Sequence, residues 1–250
     1  RENKQTISGR IIDLKYNNGV LENIYIPSGA NVKTITQGFK KHQKTSKNEN
    51  NKLILDFVND LSGNSLKGFF DEGMLDSLQL EGMAKTHYHI FEDSIYQGEN
   101  IASGDTIILQ FYQNDINKII VHGGSRGEYK PDTVSSNIEG PISYSSEIIK
   151  YNVNEEETDL HGDAKIHYTN MNLDAGFVNV NWVTNILEAK AKSNAYSSFK
   201  AIKPTIIEEG RDPMVGNEMV YNLSSKKGSV LKGRTSAEDG FYTGTQIRNQ

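Results

Sequence analysis

The sequence predicts an all-β protein made of stacked antiparallel strands. Apolar and polar residues alternate with a period of two along most of the chain, as they do in strands that bury one face. Short stretches of Asn, Asp, Lys and Gly separate the alternating runs. Among the 250 residues, 22 are glycine and 5 are proline. Because Gly and Asn favour tight turns while Tyr, Ile and Val favour strands, this composition indicates strands joined by short connections.

The first hairpin is the clearest local signal. Ile12, Leu14 and Tyr16 fall on one face of a strand, and Asn17-Asn18-Gly19 follows before a second alternating run begins. An Asn-Gly pair between two alternating runs is the strongest short-range hairpin signal. We therefore expect two antiparallel strands joined by a tight turn within residues 11–26.

The same pattern returns along the chain. One run ends at Ser62-Gly63-Asn64, which predicts another turn. The segments resemble degenerate copies of a unit of about 20 residues that holds two short strands. Such a unit cannot bury its apolar face alone, so its copies should stack on their neighbours. No Pro-, Gly- or Ser-rich linker divides the chain, which predicts one continuous domain over residues 1–250, with weaker repeats in 1–101 and clearer repeats in 102–250.

The segment 183–199 leaves two structures open. Val183, Ile186 and Leu187 fall at helical spacing, which is typical of a short helix. The alternative is a turn at Thr184-Asn185 followed by a strand that starts at Ile186.

Composition excludes several classes of function. The net charge is -5, whereas domains that bind nucleic acid usually carry a basic stripe, so we expect no nucleic-acid partner. The chain has no cysteine, which excludes disulfides, thiolate metal sites and cysteine nucleophiles. No run of residues approaches the roughly 18 consecutive apolar residues of a membrane-spanning helix.

One motif resembles the nucleophile elbow of hydrolases. Gly123-Gly124-Ser125-Arg126-Gly127 has the Gly-x-Ser-x-Gly spacing. That motif works only where a strand turns sharply into a helix, and the residues that follow have no helical periodicity. A Gly-rich strand end or bulge is therefore the favoured interpretation, and we expect no enzymatic activity.

Two histidines are placed where a metal site could begin. His87 and His89 are two residues apart, so on a strand they share a face. No third ligand is evident nearby in the sequence, with Glu92 and Asp93 the nearest candidates. Two strand histidines that face solvent or a polar rim are the simpler interpretation, and we expect no metal and no cofactor.

A sheet of stacked hairpins must cover its apolar face. It can close over a filled core, or it can fold into an open trough that accepts long acyl chains. Burial of each CH₂ group stabilises a complex by roughly 0.8 kcal/mol, so several chains would bind tightly without polar recognition. Exposed edge strands would also favour extension of the sheet by another chain. The pattern alone does not decide between a filled and an open interior.

A succession of short motifs in the last third of the chain bears on the choice between a filled and an open interior. Leu160-x-Gly162-Asp163-Ala164-Lys165-Ile166-x-Tyr168 precedes Val178-x-Val180-x-Trp182, and Tyr221-Asn222, Lys227-Gly228 and Gly240-Phe241-Tyr242-x-Gly244 follow. This succession resembles the OstA-like repeat of the lipopolysaccharide transport family, which includes the periplasmic bridge protein LptA and the N-terminal domain of the outer-membrane assembly protein LptD. Residues 102–131 resemble the same unit in large OstA-like proteins of Bacteroidota and related phyla. The resemblance covers 102–250 well and 8–90 loosely.

The resemblance implies a β-jelly roll or half-pipe whose hydrophobic interior receives the acyl chains of lipid A. It implies a periplasmic protein next to the outer membrane, acting as a bridge or as the periplasmic domain of the assembly protein. The implied partners are lipopolysaccharide and other Lpt proteins, joined by end-to-end sheet extension or in a head-to-tail oligomer. Strand alternation selects the residues expected to line the groove: Leu53, Leu55, Phe57, Ile107, Leu109, Phe111, Ile119, Val121, Ile149, Tyr151, Ile166, Tyr168, Val178, Val180, Trp182, Met219 and Tyr221.

Two other functions remain open from the sequence. A structural β-repeat module of a surface or adhesin-like protein would have a filled core and bind no lipid. A polysaccharide-active β-solenoid enzyme would need carboxylates clustered on one exposed face.

Overall fold

The computed structural model describes residues 4–41, 52–113, 115–192, 202–237 and 240–249. These residues form eighteen β-strands and no helix, and the neighbouring strands pair antiparallel almost throughout, so the predicted all-β class is confirmed. Within the described part of the chain, no helix has the length and apolarity to cross a membrane. The described residues group into two compact units. One runs up to Gly123 and adds Tyr129–Asn137, and the other consists of Gly124–Glu128 and the residues from Ile138 onward.

The first unit is organised around the long strand β7. Its strands are β1 (Lys4–Ser8), β2 (Asp13–Asn17), β3 (Val20–Ile26), β4 (Ala30–Lys41), β5 (Lys52–Gly63), β6 (Ser65–Asp71), β7 (Met74–Glu92), β8 (Ile95–Tyr112) and part of β9 (Asp115–Pro131). One edge of β7 pairs first with β6 and then with β5. The other edge pairs with β8 along nearly its whole length. The sheet therefore divides at β7 into two arms, β5–β4–β1 and β6–β3–β2.

A bulge in β7 marks the point where its neighbour changes. The register with β8 shifts between Glu81 and Ala84, where Gly82 and Met83 have φ angles of 76° and 50°. Such bulges bend a strand and increase its twist. The N–H of Asn64, which lies between β5 and β6, donates a 3.0 Å hydrogen bond to the carbonyl of Gly82. The turn predicted at Ser62-Gly63-Asn64 is therefore wrong as a hairpin, because β5 and β6 run on along the same edge of β7.

The first arm of this unit curls back until β4 meets β8. Phe39 of β4 pairs with Ile95 of β8 in parallel orientation. The N–H of Phe39 donates a 2.8 Å hydrogen bond to the carbonyl of Ser94. The strands β4, β5, β7 and β8 thus form a closed ring at this end of the unit.

The second unit repeats the division into two arms. Its strands are β10 (Ile142–Asn152), β11 (Glu157–Tyr168), β12 (Met171–Asn181), β13 (Ile186–Lys190), β14 (Thr205–Glu208), β15 (Met214–Val215), β16 (Glu218–Asn222), β17 (Lys227–Ala237) and β18 (Gly240–Asn249). After β10–β11–β12, one edge of β12 pairs with β14 and then with β13. The arms β13–β16 and β14–β15 then both pair with β17, which pairs with β18.

The two units share a nine-residue motif at corresponding bends. Leu80–Tyr88 reads L-E-G-M-A-K-T-H-Y, and residues 160–168 read L-H-G-D-A-K-I-H-Y. In the second copy the register shifts between His161 and Ala164, and Gly162 and Asp163 have φ angles of 74° and 43°. The same motif therefore produces the same bulge in β7 and in β11.

Several local predictions can now be compared with the strands. The Asn17–Gly19 turn between β2 and β3 is confirmed, with φ angles of 48° at Asn18 and 83° at Gly19. The turn at Thr184-Asn185 and the strand from Ile186 are also confirmed, against the helical alternative. The repeat unit of two short strands is wrong for β7, β8 and β9, which have 19, 18 and 17 residues, because a bulge lets a strand continue past its glycine. One continuous domain over residues 1–250 stays a prediction.

Candidate functional site

The register of the second unit lines up its buried apolar side chains in rows. The first row crosses six strands as Ile149, Leu160, Val178, Ala189, Met219 and Val230, each paired with the next. The second row, two residues further along each strand, is Tyr151, Thr158, Val180, Leu187, Tyr221 and Gly228. Because side chains two residues apart on a strand point to the same face, both rows lie on one face of the sheet.

The other arm of this unit carries a third row. Tyr144, Ile166, Leu173, Ile206 and Met214 pair in sequence across β10, β11, β12, β14 and β15. Tyr168 pairs with Met171 on the next pair of positions. All nine groove residues predicted in this unit are buried, with at most 5% of each residue exposed.

Trp182 lies two residues beyond Val180 of the second row. Its indole Nε1 donates a 2.8 Å hydrogen bond to the hydroxyl of Thr158, and its ring lies 6.4 Å from that of Tyr144. The backbone N–H of Trp182 donates to the carbonyl of Glu156. The hydroxyl of Thr158 thus serves as the acceptor for the one polar atom of the indole.

The first unit brings together five of its eight predicted groove residues on buried positions. Ile107 lies opposite Leu80, which pairs with Leu66, and Leu109 lies opposite Leu78. Ile119, Val121 and Phe57 are also buried. Leu55 and Phe111 are half-buried, and Leu53 is 48% exposed near the start of β5. The structure therefore does not place Leu53 among the buried side chains.

The low exposure of these faces has a direct consequence for any ligand. Side chains that are almost fully covered contact one another in this conformation. A ligand chain can reach them only if those contacts separate. The assignment of the seventeen residues to a lipid groove stays a prediction.

A polar and aromatic cluster lies on β5, β7 and β8 of the first unit. His89 of β7 pairs directly with Glu99 of β8, and Nε2 of His87 lies 2.8 Å from Oε2 of Glu99. The side-chain oxygen of Asn59, on β5, accepts hydrogen bonds from the backbone N–H and from Nδ1 of His89, both at 2.9 Å. Phe57 packs on this group, with its ring 5.2 Å from that of His89. The sequence missed Glu99, and the expected candidates Glu92 and Asp93 are exposed at the end of the hairpin.

Burial changes the acid–base behaviour of this cluster and of two residues in the second unit. Burial lowers the pKa of His89 to about 4, with a further contribution from His87. Burial likewise lowers the pKa of His161, and Lys150 adds to the effect. Burial raises the pKa of Tyr221 to about 12, assisted by Glu208 and Tyr168. His89 is therefore a neutral imidazole at physiological pH.

The Gly-x-Ser-x-Gly segment has no elbow geometry. Ser125 lies within strand β9 and is buried, and its hydroxyl donates to the carbonyl of Glu147. Gly123 and Gly124 have φ angles of 78° and 59°, which is the conformation of a bulge. The interpretation as a Gly-rich bulge is confirmed for this segment.

Comparisons with known proteins identify one similar solved structure by name. No family model matches the sequence, and no curated protein matches it. A solved structure of LptH from Pseudomonas aeruginosa, described as the LptA-homologous periplasmic component of the conserved lipopolysaccharide transport device, is 14% identical. It aligns with 60% of this chain and 94% of its own, with a TM-score of 0.48.

Proposed function

We propose that this protein binds the acyl chains of lipopolysaccharide and carries the lipid through the periplasm towards the outer membrane. It would act as a bridge, or as the periplasmic domain of an LptD-like assembly protein. The proposal rests on the OstA-like motifs of residues 160–182 and on the rows of apolar side chains that these motifs build.

The observation that carries the proposal is the continuous first row of the second unit. It crosses six strands without a charged residue, from Ile149 to Val230. At a spacing of 4.7–4.9 Å between strands, the row is roughly 24 Å long. Polar recognition contributes little on such a surface, so a ligand with several long hydrocarbon chains fits it best.

Lipid entry must replace side-chain contacts with contacts to lipid. Each methylene buried contributes roughly 0.8 kcal/mol, so a molecule with several acyl chains offsets the cost of separating the packed side chains. Backbone hydrogen bonds hold each arm together, whereas packing of side chains holds the buried faces against each other. We therefore expect the facing rows of side chains to separate when lipid binds, while the arms keep their backbone pairing with β12 and β17.

The edge strands give a basis for contact with other Lpt proteins. Within the described residues, β2 pairs only with β3 and β18 only with β17, and every residue of β2 is exposed. An edge strand can pair with a strand of another chain. We propose end-to-end extension at these edges, with a related domain or with another copy of this chain.

Photo-methionine labelling tests lipid binding without adding bulk to the buried faces. The chain has five methionines. Met171 and Met219 are each 1% exposed, whereas Met74 is 56% and Met83 is 77% exposed. After incubation with lipopolysaccharide and irradiation, we expect lipid adducts on the peptides that contain Met171 and Met219.

The exposed methionines are the internal control. Adducts confined to Met74 and Met83 would show adsorption to the surface and would contradict the proposal. A parallel reaction with phosphatidylethanolamine vesicles distinguishes preference for lipopolysaccharide from general lipid binding.

A structural β-repeat module is the second candidate, and the close burial of the interior favours it. In that case the rows are a permanent core. Mass spectrometry of an organic extract of the purified protein would then find no copurified lipid, and neither buried methionine would react with lipid.

A further inference from the structure

We propose that His87, His89 and Glu99 bind one divalent transition-metal ion of the Zn²⁺ type. The site lies on strands β7 and β8 of the first unit and is independent of lipid binding. In the part of the chain that the structure describes, this is the only group of three or more His, Cys, Asp or Glu side chains whose potential ligand atoms converge.

The backbone register creates the site. His87 and His89 are on the same face of β7, and His89 pairs with Glu99 on β8. One ring nitrogen of each histidine and one carboxylate oxygen of Glu99 lie within 4.8 Å of one another. In a tetrahedral site with bonds of 2.0–2.2 Å, ligand atoms are roughly 3.3–3.6 Å apart. Small side-chain rotations would bring the three groups to that separation.

Asn59 fixes the orientation of the His89 ring. Its oxygen is identified by the backbone N–H of His89, which can only donate and lies 2.9 Å away. Nδ1 of His89, also 2.9 Å from that oxygen, must therefore carry the ring hydrogen. The lone pair is then on Nε2, where a metal can bind it. Most metal-binding histidines are held by such a second hydrogen bond, which sets the tautomer.

Asn59 is itself firmly held. It is 1% exposed, and its amide nitrogen donates a 3.3 Å hydrogen bond to the hydroxyl of Thr34 on the next strand. The side chain that orients His89 is thus a buried one, held in place by the neighbouring strand.

The other two ligands, His87 and Glu99, are close together and accessible. Nε2 of His87 and Oε2 of Glu99 are 2.8 Å apart and share a hydrogen atom. Their side chains are 37% and 27% exposed, so an ion can reach them from solvent. A bound metal would take the place of that hydrogen atom, with the proton of neutral His87 on Nδ1.

The ligand set selects the class of ion. Two imidazoles and one carboxylate suit Zn²⁺, Co²⁺ or Ni²⁺, whereas Ca²⁺ and Mg²⁺ prefer oxygen ligands throughout. Three protein ligands leave a fourth tetrahedral position for water. The ion would join β7 to β8 beside the register shift between Ile90 and Phe91.

The second copy of the nine-residue motif provides a matched control. His167 occupies the position in β11 that His87 occupies in β7. Its Nδ1 lies 2.9 Å from the side-chain oxygen of Asn172, so its cross-strand partner is an amide and not a carboxylate. A histidine at residue 169 would be needed to reproduce the His87–His89 pair, and that residue is Thr169.

Metal titration of the untagged 250-residue chain tests the site. Co²⁺ is the probe, because its visible absorption reports nitrogen and oxygen ligands, and Zn²⁺ is the competitor. We expect one Co²⁺ per chain, displaced by Zn²⁺. His87→Gln and Glu99→Gln should each weaken binding by about tenfold or more, since loss of an outer partner alone has that effect. His167→Gln should bind as the unchanged chain does.

Two outcomes would overturn the proposal. One is a chain that binds no stoichiometric Co²⁺, and the other is equal binding by all three variants. Far-UV circular dichroism of each metal-free variant identifies loss of fold. Histidine ring resonances of the unchanged chain give an independent measurement. Zn²⁺ should shift those of His87 and His89 and leave that of His167 in place, and a shift of His167 alone would also contradict the site.

Discussion

Trp182 donates its indole hydrogen to the hydroxyl of Thr158 at 2.8 Å, and both residues are at most 5% exposed. Thr158→Val keeps the shape of the side chain and removes the acceptor. The buried indole N–H then loses this hydrogen bond, which costs about 1–3 kcal/mol. We expect a lower free energy of unfolding by that amount in urea denaturation.

The double variant Thr158→Val/Trp182→Phe is the control for this bond. With donor and acceptor both removed, the loss should be smaller than the sum of the two single losses. Strict additivity would show that the hydrogen bond contributes nothing.

Gly176 marks the change of neighbour along β12. A Cβ atom there would lie 2.2 Å from the carbonyl oxygen and 2.6 Å from the nitrogen of Lys192, both backbone atoms. Gly176→Ala should therefore force the backbone at Lys192 away from β12 and destabilise the protein by about 1–3 kcal/mol. Gly140→Ala, where a Cβ atom meets nothing within 4 Å, is the matched control. Equal melting temperatures for the two variants would refute the close approach at Gly176.

The effect of a Val→Asp substitution can be compared at a buried position, Val180, and at an exposed one, Val220. Val180 is 2% exposed and Val220 is 41% exposed. Val180→Asp buries an unpaired charge, which destabilises by about 3–5 kcal/mol. Val220→Asp should change stability by no more than about 0.5 kcal/mol. The urea midpoints of the two variants measure the difference, and similar midpoints would mean that the face of Val180 is open to water.

His161 should make the protein sensitive to acid. Burial lowers the pKa of its ring from 6.5, so below pH 6.5 the unfolded chain takes up a proton more readily than the folded one. Stability from this residue is therefore complete above pH 6.5 and declines as the pH falls towards the folded pKa. His161→Gln cannot titrate and should lose less stability between pH 7.5 and 5.5. Urea denaturation at each pH measures the free energy of unfolding. Equal losses in the variant and the unchanged chain would count against this role.

The sequence predicts local structure where the signal is local. The Asn17–Gly19 turn was predictable because Asn and Gly adopt positive φ angles without neighbours to impose them. Ser62-Gly63-Asn64 contains similar residues, yet there they lead from β5 into β6. The difference lies in β7, whose bulge at Gly82 receives the N–H of Asn64. No local pattern contains that information.

Glu99 shows the same limit at the candidate metal site. A regular hairpin centred on Asp93-Ser94 would place Gly98 opposite His89. The register shift between Ile90 and Phe91 moves Glu99 into that position. A single extra residue in one strand therefore decides whether His89 lies opposite a carboxylate, and the position of such a residue depends on packing beyond the hairpin.

The nine-residue motif that recurs after 80 residues has a consequence for how such a chain can lengthen. Inserting one residue into a plain strand turns every later side chain to the opposite face, which would expose an apolar row to water. The Gly-x bulge adds a residue locally and so resets the parity of its own strand. A duplicated block that carries this bulge would keep its apolar face inward, so such a chain could gain length in whole blocks without changes to the strands on either side.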